Sequence, residues 1–296
     1  MTAEVVKDIE DLSDLAPLHN PANLCGIRAA QKVFPGLPNS AVFDTSFHQT
    51  LPPKAYLYGL PYELYEKYRI RKYGFHGISH KYVSRKAAEI LKENIKDFKI
   101  LSCHLGSGAS ICAIENGKSV EISMGFTPLD GLMMGTRAGS FDPEIVLYLL
   151  KKGYSQDDVE DMMLRRGGLK GISQASNDVR ELRDDELQGK PQSELAFEMF
   201  VYRVQRFIGS YAAVMGGVEL LIFTGGIGEK AYYLRKRICE KHGYMGLKLD
   251  ARKNRANETV ISSPDSEVIV MVIPTDEELQ IARECYALER ALETAR

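Results

Sequence analysis

Residues 99 to 124 read KILSCHLGSGASICAIENGKSVEISM, and three short β-type runs follow one another within them. The runs cover 99 to 104, 109 to 115 and 119 to 124, and short connections force neighbouring strands to pair antiparallel. Asn116-Gly117, between the second and third runs, is a strong signal for a two-residue hairpin turn. The stretch therefore predicts a three-stranded antiparallel meander.

The rest of the chain alternates helical and strand patterns around this meander. Before it we expect a helix that begins at Asn20, a short strand at 40 to 44, a turn-rich loop at 52 to 73 and a helix at 80 to 91. After it we expect helices at 142 to 152, 155 to 165, 193 to 215, about 230 to 242 and 276 to 293, with strands at 219 to 224 and 267 to 273. The order from the meander onward is βββαβαβα, which predicts an α/β fold with a mixed sheet and helices on its faces.

Composition limits the classes of partner. The chain has 296 residues and is 44% hydrophobic, which is enough for a sizeable core. Its net charge of −2 comes from 38 basic and 40 acidic residues that are spread evenly, so we expect no nucleic acid or membrane partner. Five scattered cysteines and the lack of a long apolar run indicate a reducing, cytoplasmic location. Small molecules and protein remain as partners.

Gly106-Ser107-Gly108 connects the first two predicted strands. Glycines leave backbone N–H groups uncovered and let a phosphate come close, although an ordinary tight hairpin uses the same residues. His104 before the turn and Ser110 after it can both donate to phosphate oxygens, which favours a phosphate-binding hairpin. Residues 116 to 119 resemble the end of a Walker A loop, but Cys112 stands where that loop requires glycine, so we reject the match.

Two cationic or polar side chains could act on such a phosphate. Arg137 lies in a glycine-rich run that would present its planar guanidinium from flexible backbone, although most arginines are solvated surface groups. His76 lies between Gly74 and Gly77 and could donate to a charged oxygen, although a single histidine is usually structural. Both remain candidates on local sequence alone.

Carboxylates and a second glycine-rich turn complete the pattern. Asp44 ends a predicted strand, where α/β sheets keep ligand-binding groups, but an Asx turn is an equal alternative. We expect Thr275 and Glu278 to form a capping box, which leaves Glu277 free. Residues 225 to 228 join a strand to a helix, where a nucleotide can lie against bare backbone, unless these glycines serve packing alone. Together these groups indicate phosphates with Mg²⁺.

The chain resembles the acetate kinase family from about Leu15 almost to its end. The resemblance rests on the motifs LAPLHNPAN, VFDTSFHQT, YGFHGISH, HLGSGAS, MGFTPLDGLMMGTRAGSFDP, SNDVR, FTGGIGE and IPTDEEL. It implies the actin-like ATPase (ribonuclease H-like) fold of the actin, Hsp70 and sugar kinase superfamily. It also implies direct in-line transfer of a phosphoryl group from ATP to acetate, giving ADP and acetyl phosphate, with Mg²⁺ or Mn²⁺, in a homodimer.

The resemblance also implies roles for individual positions. The implied catalytic residues are Asp44, His76, Arg137 and His19, and Asp44 and Glu277 are the implied metal ligands. The implied nucleotide-binding residues are His104, Gly106, Ser107, Gly108, Asp178, Arg180, Gly225, Gly226, Ile227, Gly228 and Arg235. Leu18, Phe75 and Pro128 match residues that line the pocket for the acetate methyl group.

The chain departs from the family pattern in three places. Ser107 and Lys230 stand where the family commonly has Asn, and Lys230 adds a positive charge near the base. Family members begin with a domain that carries an N-x-G-S-S-S-x-K phosphate loop and a second arginine, and nothing here matches either. We therefore expect residues 1 to 44 and 280 to 296 to be a remnant of that domain, and 45 to 279 to be the nucleotide-binding domain.

Two alternatives to acetate kinase activity remain open. Because several charged groups converge on the phosphoryl group in such reactions, a chain without the first phosphate loop and the second arginine could bind nucleotide without efficient turnover. The acyl group could also be propionate or butyrate, since one added methylene changes binding by only about 1–3 kcal/mol.

Overall fold

The structure is a computed structural model that describes residues 1 to 13 and 19 to 294. Its contacts divide the chain into two units. The smaller unit comprises Met1–Phe43 and Glu278–Arg296, and the larger unit comprises Asp44–Glu277. Leu18, one of the implied pocket residues, lies outside the described residues. Across the described ranges, no helix is long and apolar enough to cross a membrane.

The larger unit is built on one five-stranded sheet. Its strands are β1 (Lys99–Leu105), β2 (Ala109–Glu115), β3 (Lys118–Ile122), β4 (Leu220–Thr224) and β5 (Ile269–Val272), in the spatial order β3-β2-β1-β4-β5. β1, β2 and β3 pair antiparallel, whereas β4 pairs parallel with both β1 and β5. The predicted meander and mixed sheet are therefore confirmed.

The turn between β2 and β3 shows why the sequence determined the meander so clearly. Asn116 and Gly117 have φ angles of 54° and 72°, in the left-handed region that a type I′ hairpin requires at both central positions. Asparagine and glycine tolerate this region better than other residues. The rejected Walker A match is thus a hairpin turn.

Helices cover both faces and extend into the smaller unit. Their bounds are α1 Ala3–Asp11, α2 Asn20–Val33, α3 Pro53–Tyr56, α4 Tyr62–Tyr68, α5 Gly77–Leu91, α6 Glu144–Lys151, α7 Gln156–Leu164, α8 Gly168–Ser173, α9 Val179–Leu187, α10 Pro191–Met215, α11 Gly225–Lys230, α12 Tyr232–Glu240, α13 Ala251–Arg255 and α14 Glu277–Thr294. Short 3₁₀ turns lie at Ser46–Thr50, Ile95–Asp97 and Gly243–Met245. The longer predicted helices are confirmed, while α8, α9 and α11 are short helices that the periodicity did not resolve.

Two local predictions are wrong. Residues 40 to 43 form no strand, because they have no ladder partner to take up their backbone hydrogen bonds. Thr275 does not form the predicted capping box: α14 begins at Glu277, and the Thr275 hydroxyl donates to Ser79 Oγ at 2.8 Å. Tertiary contacts that local sequence does not contain determine both outcomes.

The two faces of β1 differ in chemistry. Leu101, Cys103 and Leu105 belong to the larger apolar core, which is completed by α10. On the opposite face, towards α5, Ile100 is part of a smaller apolar core, but Ser102 and His104 follow it on the same face. The layer between the sheet and α5 therefore changes from apolar to polar towards the carboxyl end of β1.

Candidate active site

The hairpin between β1 and β2 lies at this polar end. Gly106 N–H donates to Gly108 O at 3.0 Å and closes the tight turn. Within the described structure, the N–H groups of Ser107 and Gly108 have no acceptor. Consecutive free amides in a turn form a concave site for an anion, which agrees with a phosphate-binding role.

His76 and His104 stand beside this hairpin. Their rings stack with centroids 4.2 Å apart and an interplanar angle of 23°. His76 directly precedes α5 with φ of 57°, a left-handed conformation that is uncommon for residues other than glycine. A Cβ atom built on Gly108 would lie 3.4 Å from His76 Nε2 and 3.7 Å from Arg137 Nη1. The hairpin, His76 and Arg137 therefore converge on one point.

Both imidazoles are neutral in the folded chain. Burial, together with the nearby positive charge of Arg137, lowers the pKa of His76 to about 4. Burial likewise lowers the pKa of His104 to about 3. At neutral pH each ring therefore offers a single N–H donor and carries no charge, and Arg137 supplies the positive charge at this point.

The backbone that carries Arg137 is held in place, contrary to the flexible run that we expected. Met134 N–H donates to Arg137 O, and Ala138 N–H donates to Met163 O, each at 3.0 Å. Gly168, with φ of 63°, packs so closely that an added Cβ would lie 2.2 Å from Met134 O. The glycines in and around this loop allow backbone segments to approach each other, which fixes the position of the guanidinium.

Asp44 and Glu277 form a pair of carboxylates in the same unit. Asp44 Oδ2 accepts from His76 N–H at 2.6 Å, and Oδ1 accepts from Ile78 N–H at 3.3 Å, at the positive end of α5. Burial, and next the negative charge of Asp44, raise the pKa of Glu277. The described residues contain no group of three or more His, Cys, Asp or Glu side chains that could hold a metal. Two neighbouring carboxylates nevertheless fit Mg²⁺, which commonly takes one or two protein carboxylates plus phosphate oxygens.

The turn after β4 presents bare backbone at the same edge of the sheet. Gly225 has φ of 75°, and a Cβ there would lie 2.7 Å from Leu105 O, so only glycine fits. A Cβ on Gly226 would have no neighbour within 4 Å, so this backbone is open to a ligand. Ile227 packs partly buried against the larger core, and Gly228 makes only ordinary contacts.

Arg235 lies beneath this turn and not on its open side. Its side chain is fully buried, and its donors reach the carbonyls of Gly228 and Glu229 and groups of Asn254 and Asn257. These five hydrogen bonds occupy all five N–H donors of a guanidinium. The side chain therefore has no donor left for a nucleotide and instead fixes the turn. Its partners Asn254 and Asn257 lie 19 and 22 residues further along the chain, and no local pattern links them to Arg235.

The comparisons with known proteins agree with this geometry. The model of the acetokinase family matches residues 1–283. The acetate kinase of Thermotoga maritima is 52% identical over 287 residues, which is 95% of this chain and 71% of that protein. The chain belongs to the acetokinase family. Among solved structures, the acetate kinase of Porphyromonas gingivalis matches with a TM-score of 0.91 and 44% identity, over 96% of this chain and 72% of that one. A propionate kinase from Francisella tularensis matches with a TM-score of 0.91 and 46% identity, over 96% of this chain and 73% of that one.

Membership of the acetokinase family confirms the actin-like ATPase fold and identifies the chain as a kinase. The central sheet order β3-β2-β1-β4-β5 agrees with that fold. The close approach of Gly225 to Leu105 O brings the β4–α11 turn next to the β1–β2 hairpin.

The remaining residues that the family resemblance implied have the following surroundings. Asp178 caps α9 by accepting from Arg180 N–H at 2.8 Å, and hydrogen bonding from the exposed Arg180 side chain lowers the pKa of Asp178. Phe75 packs partly buried against the larger core, and Pro128 is half-buried in the loop after β3. His19 is exposed in the smaller unit, directly before α2. The roles of these residues remain predictions.

The expectation that Ser110 donates to a phosphate at the hairpin is wrong. The Ser110 hydroxyl is buried and lies 2.8 Å from both His76 Nδ1 and His80 Nε2, so it does not face a phosphate at the hairpin. His80 itself is fully buried one helical turn after His76. His80 was not among the predicted site residues, although its four-residue spacing from His76 places both on one face of a helix.

The buried histidines predict a specific dependence of stability on pH. Burial lowers the pKa of His48 to about 4, and that of His80 well below its ordinary value, in addition to the shifts at His76 and His104. An unfolded histidine titrates near 6.5, so below that pH the unfolded state binds more protons than the folded state. We expect the free energy of unfolding to fall as pH falls from about 6.5 towards 4, because these histidines together bind up to about four protons when the chain unfolds. Urea unfolding between pH 7.5 and 5.0, above most carboxylate titration, measures this slope, and a flat midpoint over that range would contradict it.

Proposed function

We propose that this chain transfers the γ-phosphoryl group of ATP directly to acetate, giving ADP and acetyl phosphate, and catalyses the reverse reaction. The observation that carries the proposal is the convergence of His76, Arg137 and the free hairpin amides on one point. Asp44 accepts from the His76 N–H, and Glu277 lies close enough to Asp44 for the Asp44 charge to raise the pKa of Glu277. Phosphoryl transfer needs little covalent chemistry from the protein, and positioned donors and charges supply most of its catalysis.

Each group has a distinct task in this reaction. The N–H groups of Ser107 and Gly108 and the His104 ring hold phosphate oxygens of the nucleotide. The bare backbone at Gly226 accommodates the nucleotide beside them. Arg137 supplies positive charge to the oxygens of the phosphoryl group in transfer, while the neutral His76 donates a hydrogen bond to it. The glycine-packed backbone around Arg137 keeps its guanidinium in place without reorganisation.

Asp44 and Glu277 would hold Mg²⁺ or Mn²⁺ in this proposal. A cation held there would neutralise part of the charge on the phosphate oxygens. The N–H donors of His76 and Ile78 hold the Asp44 carboxylate in place. The raised pKa of Glu277 reflects burial and repulsion by Asp44, and a cation between the two carboxylates would relieve that repulsion.

Acetate is our first choice of acceptor, and propionate or butyrate is the alternative. The chain is similar to an acetate kinase and to a propionate kinase with the same TM-score of 0.91. Phe75 and Pro128 supply apolar surface in the proposed pocket for the acyl chain. An extra methylene in such a pocket changes binding by only about 1–3 kcal/mol, so modest differences in shape decide the preference.

A second candidate function is nucleotide binding with little turnover. The 296 residues contain no stretch of the form N-x-G-S-S-S-x-K. In this proposal Arg137 alone supplies arginine charge, and missing one such arginine typically lowers the rate of phosphoryl transfer by about 10³-fold or more. Binding of ADP depends instead on the hairpin and the β4–α11 turn.

A hydroxamate assay with ATP, Mg²⁺ and acetate tests the proposed reaction, with propionate and butyrate in parallel. We expect hydroxamate from the purified chain and a loss of about 10³-fold in Arg137→Ala, because its charge stabilises the transition state. Arg252→Ala removes an arginine that is mostly exposed on α13 and should leave the rate unchanged. No hydroxamate with any acyl acceptor, together with ADP binding by calorimetry, would favour the second candidate. Absence of both turnover and binding would exclude both.

We also propose that the chain forms a homodimer through α6 in the cytoplasm. Ile145, Leu147, Tyr148 and Leu150 of α6 are between 40% and 56% exposed. Ile145 also lines a cavity of about 180 Å³, together with apolar side chains that include Phe141 and Met162. A contiguous exposed apolar surface of this kind is typical of a subunit interface, and a second copy would cover it. Free cysteines, three of them buried, suit a reducing cytoplasm.

Sedimentation velocity tests the dimer. Leu147→Lys places a charge on the proposed interface and should shift the chain towards monomer, because burying an unpaired charge is costly. Leu187→Lys changes a more exposed leucine on α9 and should leave the distribution unaltered. A wild-type monomer at tens of micromolar would exclude this interface.

A further inference from the structure

Two chains of hydroxyl and imidazole groups lie behind the stacked rings of His76 and His104. In the first, Ser102 Oγ lies 2.9 Å from His80 Nδ1, His80 Nε2 lies 2.8 Å from Ser110 Oγ, and Ser110 Oγ lies 2.8 Å from His76 Nδ1. In the second, the Thr275 hydroxyl donates to Ser79 Oγ at 2.8 Å, and Ser79 Oγ lies 2.8 Å from His104 Nδ1. Ser79, His80, Ser102 and Ser110 are fully buried.

The remaining nitrogen of each stacked ring faces the hairpin. His76 Nε2 and His104 Nε2 make no hydrogen bond within the described part of the chain. His76 Nε2 lies 3.4 Å from the point where a Gly108 Cβ would be, and His104 Nε2 lies 4.0 Å from the corresponding point on Gly106. Whether each Nε2 carries a proton therefore decides whether the hairpin meets a donor or a lone pair.

In the first chain, two proton arrangements pair the proton of buried Ser110, whereas a Ser110 hydroxyl that accepted from both rings would have no acceptor for that proton in the described structure. His80 is fully buried, and its nitrogens contact the hydroxyls of Ser102 and Ser110 and no carboxylate, so its ring is neutral with one donor and one acceptor. In the first arrangement His80 Nε2–H donates to Ser110, Ser110 donates to His76 Nδ1, and His76 carries its proton on Nε2. In the second arrangement every bond is reversed, and His76 directs an Nε2 lone pair at the hairpin.

The second chain uses every proton in only one direction. Thr275 donates to Ser79 Oγ, and His104 Nδ1 is the acceptor that the described structure offers to the buried Ser79 proton, which the opposite tautomer would leave unpaired. A neutral His104 whose Nδ1 accepts must carry its own proton on Nε2. This ring therefore offers a donor beside Gly106.

We propose that Ser110 and Ser79 are positioning residues that fix His76 and His104 as Nε2–H tautomers, so that both rings donate to a phosphoryl group at the β1–β2 hairpin. An anion at the hairpin repels the lone pair of the reversed arrangement and is bound by the donor of the first, which selects the first. The identity of that anion rests on the proposed function, whereas the tautomers are a property of the chain without ligand.

The first experiment measures the tautomers directly. The ¹⁵N spectrum of histidine side chains in the unmodified chain, with and without inorganic phosphate, distinguishes Nε2–H from Nδ1–H rings. We expect His76 and His104 each to show the Nε2–H tautomer when phosphate is present, with His104 already in that form without it. An Nδ1–H tautomer at either ring in the presence of phosphate would overturn the proposal, whether or not the chain proves to be a kinase.

The second experiment separates positioning from a structural role. Ser110→Ala removes the donor to His76 Nδ1, while Ser84→Ala is the matched control, since buried Ser84 donates only to Lys81 O within α5. We expect Ser110→Ala to convert the His76 signal to a mixture of tautomers. We also expect kcat to fall about 10²-fold, which is the usual effect of removing one hydrogen-bond donor to the charge of a transition state, while the KM for ATP changes little. Ser84→Ala should change neither. An unaltered His76 tautomer in Ser110→Ala, or equal kinetic losses in the two variants, would contradict the proposal.

These experiments distinguish failure of the positioning role from failure of the proposed function. If the wild-type chain has no phosphotransferase activity but shows the expected tautomers and their loss in Ser110→Ala, the positioning role stands and the reaction does not. Ser110→Thr retains a hydroxyl and should keep the Nε2–H tautomer of His76, which tests the role in a second variant if Ser110→Ala does not fold.

Discussion

The pairing of β1 with two neighbours of opposite direction is the constraint on which the site depends. β1 runs antiparallel to β2 and parallel to β4, so the hairpin after β1 and the turn after β4 leave the sheet at the same edge. The hairpin and the turn lie so close together that any side chain at Gly225 would clash with Leu105 O. Two backbone segments with free or open amides thus face one space, and the remaining groups are arranged around them.

Burial of neutral imidazoles is the second determinant of the site. Ser102 and His104 continue the face of β1 that begins with Ile100, so the polar groups lie in a layer that is otherwise apolar. Desolvation keeps these histidines uncharged, and serine hydroxyls satisfy the nitrogens that face the interior. Arg137, on a separately fixed loop, then carries the positive charge beside the hairpin. This division lets the phosphate site combine fixed donors with one cation.

Local sequence signals predicted the parts of the structure that depend on the conformational preferences and apolar periodicity of neighbouring residues. The hairpin at Asn116-Gly117 follows from backbone preference alone, and the order of strands and helices follows from apolar periodicity. The candidate residues Asp44, His76, Arg137 and Glu277 were identified from motifs, and the structure brings the first three to one region by hydrogen bonds and close packing. The errors have a tertiary cause. Ser110 was expected to donate to a phosphate because its contacts with α5 are not visible along the chain. Arg235 was placed near the nucleotide by the family resemblance, which does not show that its donors are taken by groups that include Asn254 and Asn257.

The central claim is that the amides of Ser107 and Gly108 bind a phosphate beside Arg137. The most direct measurement is a ¹H–¹⁵N NMR titration of the amides with ADP and Mg²⁺. We predict the largest shifts at Ser107 and Gly108, with a second group of shifts at Gly226, because these amides are free or open in the structure. Saturable binding of ADP that leaves the Ser107 and Gly108 resonances unmoved would contradict the account.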